Sequence, residues 1–180
     1  MCSSDLLACT APEAARLSQP FAPDWAARAG ALRYEPIVTV YAQSEGARLP
    51  EPMLVLHADD RHPAQFVFDR GRLGGPAGLL AFVISGAGAW VARGLAASEA
   101  ATLEQARLAL ASHLCAPLVP LRTIVEKRAT FRCTPMLDRP PLQVAPGLVA
   151  AGDYIDGPYP ATLEGAVRSG TAAARALLPG

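Results

Sequence analysis

The sequence predicts a mixed α/β chain of the α+β kind, on three observations. Short β-branched apolar runs recur through residues 37–84, a run of helix formers follows at 98–110, and a strand–loop–helix pattern closes the chain. With 180 residues, 51% of them apolar, there is enough chain to bury a core, while 17 Pro and 15 Gly interrupt it too often for a long helical bundle.

Taken in order, Leu6 to Thr10 reads as a strand end closed into a loop by Ala11-Pro12. Ile37-Val38-Thr39-Val40-Tyr41 is a strand opened by Glu35-Pro36. Met53 to His57, Gln65 to Asp69 and Leu79 to Ile84 follow as three strands of an antiparallel meander. Ser98 to Leu110 reads as a helix starting at Ser98, with Leu103, Ala106 and Leu110 on one face, and Pro117 and Pro120 end it. Leu121 to Phe131 is a further strand, and Pro135 to Pro146 reads as a linker. Gly147 to Asp153 is a buried strand ending in Gly-Asp. A small-residue helix then runs to Leu178, with Pro160 near its first turn.

Sixteen Lys+Arg balance sixteen Asp+Glu, so no net field gathers polyanions and nucleic-acid binding is set aside. Cys2, Cys9, Cys115 and Cys133 make no C-x-x-C pair and no zinc-ligand spacing; a reduced, cytoplasmic setting without a metal site is expected. Cys115 and Cys133 are expected to be buried, inert thiols. The uncharged stretch 73–92 is long enough for a membrane span, but Gly74, Gly75, Pro76, Gly78, Gly86 and Gly88 make it a buried strand after a turn. His57, Asp59, Asp60 and His62 read as a polar hairpin loop, and Asp69-Arg70-Gly71 as a strand-ending turn. Glu126-Lys127-Arg128 reads as surface charge along a strand.

The strand–loop–helix at the end is where chemistry is expected. A carboxylate at Asp153, beside a close-approach glycine at the carboxyl edge of a strand, can accept a sugar or polyol hydroxyl. The helix start beyond it offers free N–H groups and a positive dipole end to an anion.

These residues, Ala150-Ala151-Gly152-Asp153 with Pro160 to Gly170 and Ala172-Ala173, resemble the C-terminal flavin-binding signature of the amine oxidase and carotenoid desaturase superfamily. Glu35 to Val40, Gln65 to Gly71 and Glu126 to Phe131 resemble one branch of it, the hydroxysqualene dehydroxylases, also called squalene-associated FAD-dependent desaturases. The resemblance implies the C-terminal part of a two-domain, Rossmann-like FAD protein. Residues 1–10 would hold a foreign start and a strand end of the FAD domain, 11–139 an antiparallel-sheet substrate domain, and 140–180 the returning FAD segment.

By the same resemblance, Gly152 and Asp153 would meet the ribityl or pyrophosphate region of FAD. Pro160, Ala161, Thr162, Leu163 and Glu164 would form the helix start beneath the flavin, Glu164 being equally readable as an ordinary first-turn acid. The implied reaction passes hydride from reduced flavin to an allylic carbon of hydroxysqualene as water departs, giving squalene. Ile37, Val38, Val40, Leu54, Leu56, Phe66, Phe68 and Phe82 would then wall a long isoprenoid, with peripheral contact at the inner membrane face. No general acid or other catalytic residue is assigned.

The family's G-x-G-x-x-G element does not occur here, since Gly86-Ala87-Gly88 places Val91 at the third position and reads as a chance match. The chain is accordingly expected to be part of a longer enzyme, to hold FAD poorly alone and to be inactive by itself. Two other readings stay open: a carotenoid-type desaturase or amine oxidase, and a non-catalytic lipid-binding or interaction module.

Overall fold

The structure, a computed structural model, describes residues 5–178. The expectation of a foreign start falls largely on residues 1–4, outside that range. The chain runs β1 (Asp5–Leu7), α1 (Ala11–Ser18), α2 (Pro23–Gly30), β2 (Tyr34–Gln43), β3 (Met53–Val55), β4 (Phe66–Asp69) and β5 (Leu79–Ile84). It continues through α3 (Gly88–Arg93), α4 (Leu95–Ala109), β6 (Val119–Phe131), β7 (Gln143–Ala145), β8 (Leu148–Ala150) and α5 (Leu163–Leu177). The mixed α/β class is as expected.

The chain forms two compact units. One joins the residues up to Tyr34 with those from Thr130 onward; the other is Glu35–Ala129. These divisions differ from the expected boundaries at residues 10 and 139, because residues 11–34 and 130–139 share a core with the terminal segments. That core contains Ala14, Trp25, Ala29, Leu32, Phe131 and Ile155.

In the first unit β1 pairs in parallel with β8, and β8 pairs antiparallel with β7. The parallel pairing joins segments more than 140 residues apart, Asp5 opposite Leu148 and Leu7 opposite Ala150. Two expectations change here. Ala11-Pro12 opens helix α1 instead of a loop: Thr10 is extended and the proline sits in the first turn, where a missing N–H is harmless. The stretch 135–146 is not only linker, because Gln143–Ala145 pairs with β8 across the turn at Gly147 (φ 77°).

In the second unit the strand order is β3-β4-β5-β2-β6. The β3-β4-β5 meander is as expected, and β2 adds antiparallel to β5, Val40 opposite Phe82. Alternation sends Val38, Val40, Val67, Leu80, Phe82 and Ile84 into one core, which α4 covers with Leu103 and Ala106 and, at its C-cap, Leu110. Helix α4 starts before Ser98, at Leu95. The buried Ser98 hydroxyl turns inward to the carbonyls of Trp90 and Gly94 instead of capping the helix. Residues 79–84 are a strand, and no helix among the described residues is long and apolar enough to cross a membrane.

Cys115 and Cys133 are exposed, against the expectation of burial, since each follows the end of an element and not a core face.

Candidate functional site

Strand β8 ends at Ala150, and the Ala151 N–H donates to the Leu7 carbonyl, so the backbone is still held by β1 as it reaches Gly152. Ser169, on the second turn of α5, clamps that glycine. Its Oγ accepts from the Gly152 N–H at 2.9 Å and lies 2.8 Å from the Gly152 carbonyl and 2.9 Å from the Ala166 carbonyl. A Cβ at Gly152 would stand 2.4 Å from the Tyr154 ring, so only glycine lets the strand end lie against that aromatic.

The connection from Asp153 to α5 is fixed from three sides. Arg139, with a side chain only 10% exposed, donates to the carbonyls of Ile155, at 2.9 Å, and Gly157, and pairs with Asp156 at 3.4 Å. The Asp156 N–H donates to the Pro140 carbonyl. At the far end Tyr159 (φ 58°) and Ala161 (φ 55°) both take the left-handed conformation, which L residues adopt at an energetic cost. Thr162 then caps α5: its Oγ1 accepts from the Gly165 N–H at 3.0 Å and donates to the Tyr159 carbonyl at 2.6 Å. Gly165 has no freedom to be anything larger, since a Cβ there would meet the Tyr159 carbonyl oxygen at 2.2 Å.

Pro160 lies just outside the helix, two residues before its cap. The left-handed Ala161 between them turns the chain into the helix, a conformation that nothing in the residue types announces.

Burial pushes the Asp153 carboxyl above its ordinary value of 3.8, against the opposing pull of the Asp153 and Tyr154 N–H groups and the Arg139 guanidinium. A half-buried carboxyl with no side-chain donor among the described residues is one that a hydroxyl donor would satisfy. Glu164 instead pairs with Arg168 at 2.6 Å, one turn on, and Arg168 lies over the Tyr159 ring at 4.9 Å. Beside α5 is a cleft of about 420 Å³, lined among others by Leu142, Asp156, Gly165, Arg168, Ser169 and Arg175.

Gly152, Asp153, Pro160, Ala161, Thr162, Leu163 and Glu164 thus fall on one connection of the first unit, from strand end to first helical turn. Sequence reasoning missed Arg139 and the polar role of Ser169. The serine was legible only as a small residue in a small-residue helix. Arg139 stood in what read as a linker, where nothing in the pattern indicates burial.

The other polar groups behave as expected. The Asp59 carboxylate accepts from the Arg61 and His62 N–H groups, meets His62 Nδ1 at 3.0 Å and is held down at about 2, chiefly by that histidine. Asp69 is buried and organises its turn, accepting from the N–H groups of Leu49 and Arg72. Glu126, Lys127 and Arg128 are exposed on β6.

The expected apolar wall divides between two faces of the second unit's sheet. Val38, Val40, Leu54, Leu56 and Phe82 belong to the core with α4. Ile37, Phe66 and Phe68 point to the opposite face by strand alternation, and no residue of that face joins the core cluster. Met53 and Val55 at its β3 margin are 45% and 73% exposed.

Comparison with known proteins follows this geometry. The sequence pattern described as flavin containing amine oxidoreductase matches residues 4–178. A hydroxysqualene dehydroxylase from Rhodopseudomonas palustris (strain ATCC BAA-98 / CGA009) is 44% identical over 68 residues, which cover 36% of this chain and 16% of that protein. Two solved structures share the fold. One, assigned as a protoporphyrinogen oxidase from Exiguobacterium sp. 255-15, has TM-score 0.61 at 16% identity, over 96% of this chain and 40% of its own. The other, an oxidoreductase from Methanosarcina mazei, has TM-score 0.66 at 14% identity, over 94% of this chain and 42% of its own. The chain spans about two fifths of the length of these structures. With the family pattern running through nearly every described residue, the chain belongs to the flavin containing amine oxidoreductases.

Proposed function

We propose that this chain supplies the C-terminal half of an FAD site and the substrate wall of an oxidoreductase that removes the hydroxyl of hydroxysqualene to give squalene. The observation that carries the cofactor reading is the half-buried Asp153 carboxyl set on the same braced connection as the start of α5. The residues fit an anionic, hydroxyl-bearing group. Gly152 lets the strand end turn tightly against the Tyr154 ring and so sets where Asp153 begins, and Asp153 has no side-chain donor among the described residues. The first N–H groups of α5, at Leu163 and Glu164, have no partner within the helix.

FAD, when bound, supplies the hydride of the reaction. Asp153 accepts a ribityl or ribose hydroxyl, and in doing so recovers the hydrogen bonding that burial removed. The helix start favours negative charge on the ring through its N–H groups and dipole. Ala161 and Pro160 set the turn, and Thr162 holds it through Gly165 and Tyr159. Glu164, tied to Arg168, contributes through its backbone. The face carrying Ile37, Phe66 and Phe68 excludes water and takes the hydrocarbon.

The substrate rests on the partial likeness to a hydroxysqualene dehydroxylase and on that apolar face. A substrate this apolar brings peripheral contact with the cytoplasmic face of the membrane. The test is anaerobic incubation of the full-length, FAD-reduced protein with hydroxysqualene. Squalene formed with loss of reduced flavin is expected; a product with added double bonds, formed with flavin reduction in a parallel anaerobic incubation of the oxidised protein, would assign a carotenoid-type desaturase instead.

A further inference from the structure

The uncovered face of the five-stranded sheet contains one row whose register matters. Tyr41 stands opposite Ala81, Ala81 opposite Phe68, and Phe68 opposite Met53. Across four strands the row spans about 14 Å, three strand spacings, running from a phenol to an exposed edge. Polar groups on this face of β2 are few. Gln43 gives its amide to the Ala77 carbonyl at 2.8 Å, whereas the hydroxyls of Thr39 and Tyr41 have no side-chain partner among the described residues. Tyr41 is half-buried, and its cross-strand neighbour is the smallest side chain of the row. Ala81 is itself only 4% exposed, seated between the two larger side chains of Tyr41 and Phe68.

An apolar face alone binds a hydrocarbon at least as well as the corresponding alcohol, because the alcohol must surrender its water. Discrimination in favour of the alcohol requires a polar group on the face that restores the lost hydrogen bond. A neutral phenol can both donate and accept, and so meets a hydroxyl without introducing a charge.

We propose that Tyr41 is a positioning and specificity residue: its hydroxyl bonds the hydroxyl of a long hydrocarbon alcohol whose chain lies along the row over Ala81, Phe68 and Met53. This rests on the reading of the face as a substrate wall. The tyrosine fixes which end of a nearly featureless hydrocarbon lies at β2, and it ranks the alcohol above the deoxygenated product, favouring exchange of product for substrate.

The test compares binding of hydroxysqualene and squalene, each delivered from cyclodextrin, to the full chain and to Tyr41→Phe, Thr39→Val and Phe68→Ala. Tyr41→Phe deletes an unpartnered oxygen, so matched thermal melts are expected. The unmodified chain is expected to prefer the alcohol by about fivefold, the worth of one neutral hydrogen bond. Tyr41→Phe erases the preference with squalene affinity unchanged, Thr39→Val keeps it, and Phe68→Ala weakens both ligands alike. A Tyr41→Phe protein that still prefers the alcohol overturns the proposal and leaves the wall standing. Failure of the unmodified, folded chain to bind either lipid overturns the wall itself, and the proposal with it.

Discussion

The two units of this chain are held by different means. The second is one five-stranded sheet, with a meander β3-β4-β5 of strands close in sequence to which β2 and β6 add, and one continuous core against α4. Its strength is distributed over many packed side chains. The first brings β1 against β8 across more than 140 residues and fixes the connection from Gly152 to Gly165, the candidate site, with single polar contacts from Arg139, Thr162 and Ser169. Packing tolerates graded losses; a strap made of single contacts responds to one atom.

Substitutions in the second unit should separate its two faces. Phe82 is fully buried in the core, so Phe82→Ala is expected to lower stability by about 3–5 kcal/mol. Phe68→Ala, half-buried on the opposite face, is expected to cost less, about 1–2 kcal/mol. Urea unfolding of both variants checks the contrast, and equal losses would mean that the second face is packed as tightly as the first.

In the first unit the glycines of α5 make the matching contrast. Gly165→Ala drives a methyl into the Tyr159 carbonyl, and a loss of about 1–3 kcal/mol is expected, with weaker FAD binding. Gly170→Ala meets nothing within 4 Å and is expected to stabilise the chain by up to about 1 kcal/mol through helix propensity. Thermal melts of the pair, with an FAD titration of each, measure both effects.

Ser169→Ala leaves the Gly152 N–H without its acceptor. The expected loss is about 1–2 kcal/mol, with an FAD affinity reduced more than that of a surface control such as Thr171→Ala. Calorimetric titration distinguishes the two.

The smallest effect is electrostatic. Burial raises the Asp153 carboxyl above 3.8, so the folded chain holds that proton more tightly than the unfolded one. Its contribution to stability is present below pH 3.8 and is lost as pH climbs through the raised value. Asp153→Asn removes that loss, and the FAD-free variant is expected to melt slightly higher than the unmodified chain at neutral pH while binding FAD less well. A melting temperature unchanged across that range would mean that the carboxyl is solvated.

The same contrast explains what could be read from the sequence. Ile37 to Tyr41, Gln65 to Asp69 and Leu79 to Ile84 were legible as strands because β-branched and aromatic runs reflect a local preference. Their sorting onto two faces follows from register, which the residue types leave open until partners are known. At the site, Gly152 and Asp153 were visible as a strand end and Thr162 as part of the helix start. The left-handed Tyr159 and Ala161, the start of α4 before Ser98 and the buried Arg139 were not, because each depends on contacts made by distant residues. Cys115 and Cys133 are exposed for the same reason: apolar character does not place a residue that lies beyond an element's end.

The central claim, that the connection from Gly152 to Gly165 is the part of this chain that receives FAD, is tested most directly by mapping backbone amide shifts of the isotope-labelled chain through an FAD titration, which detects weak binding residue by residue. The account predicts saturable shifts at Gly152, Asp153 and Ala161 to Gly165, diminished in Gly165→Ala. A folded chain whose shifts spare both segments, or gather on the strands of the second unit, would contradict it.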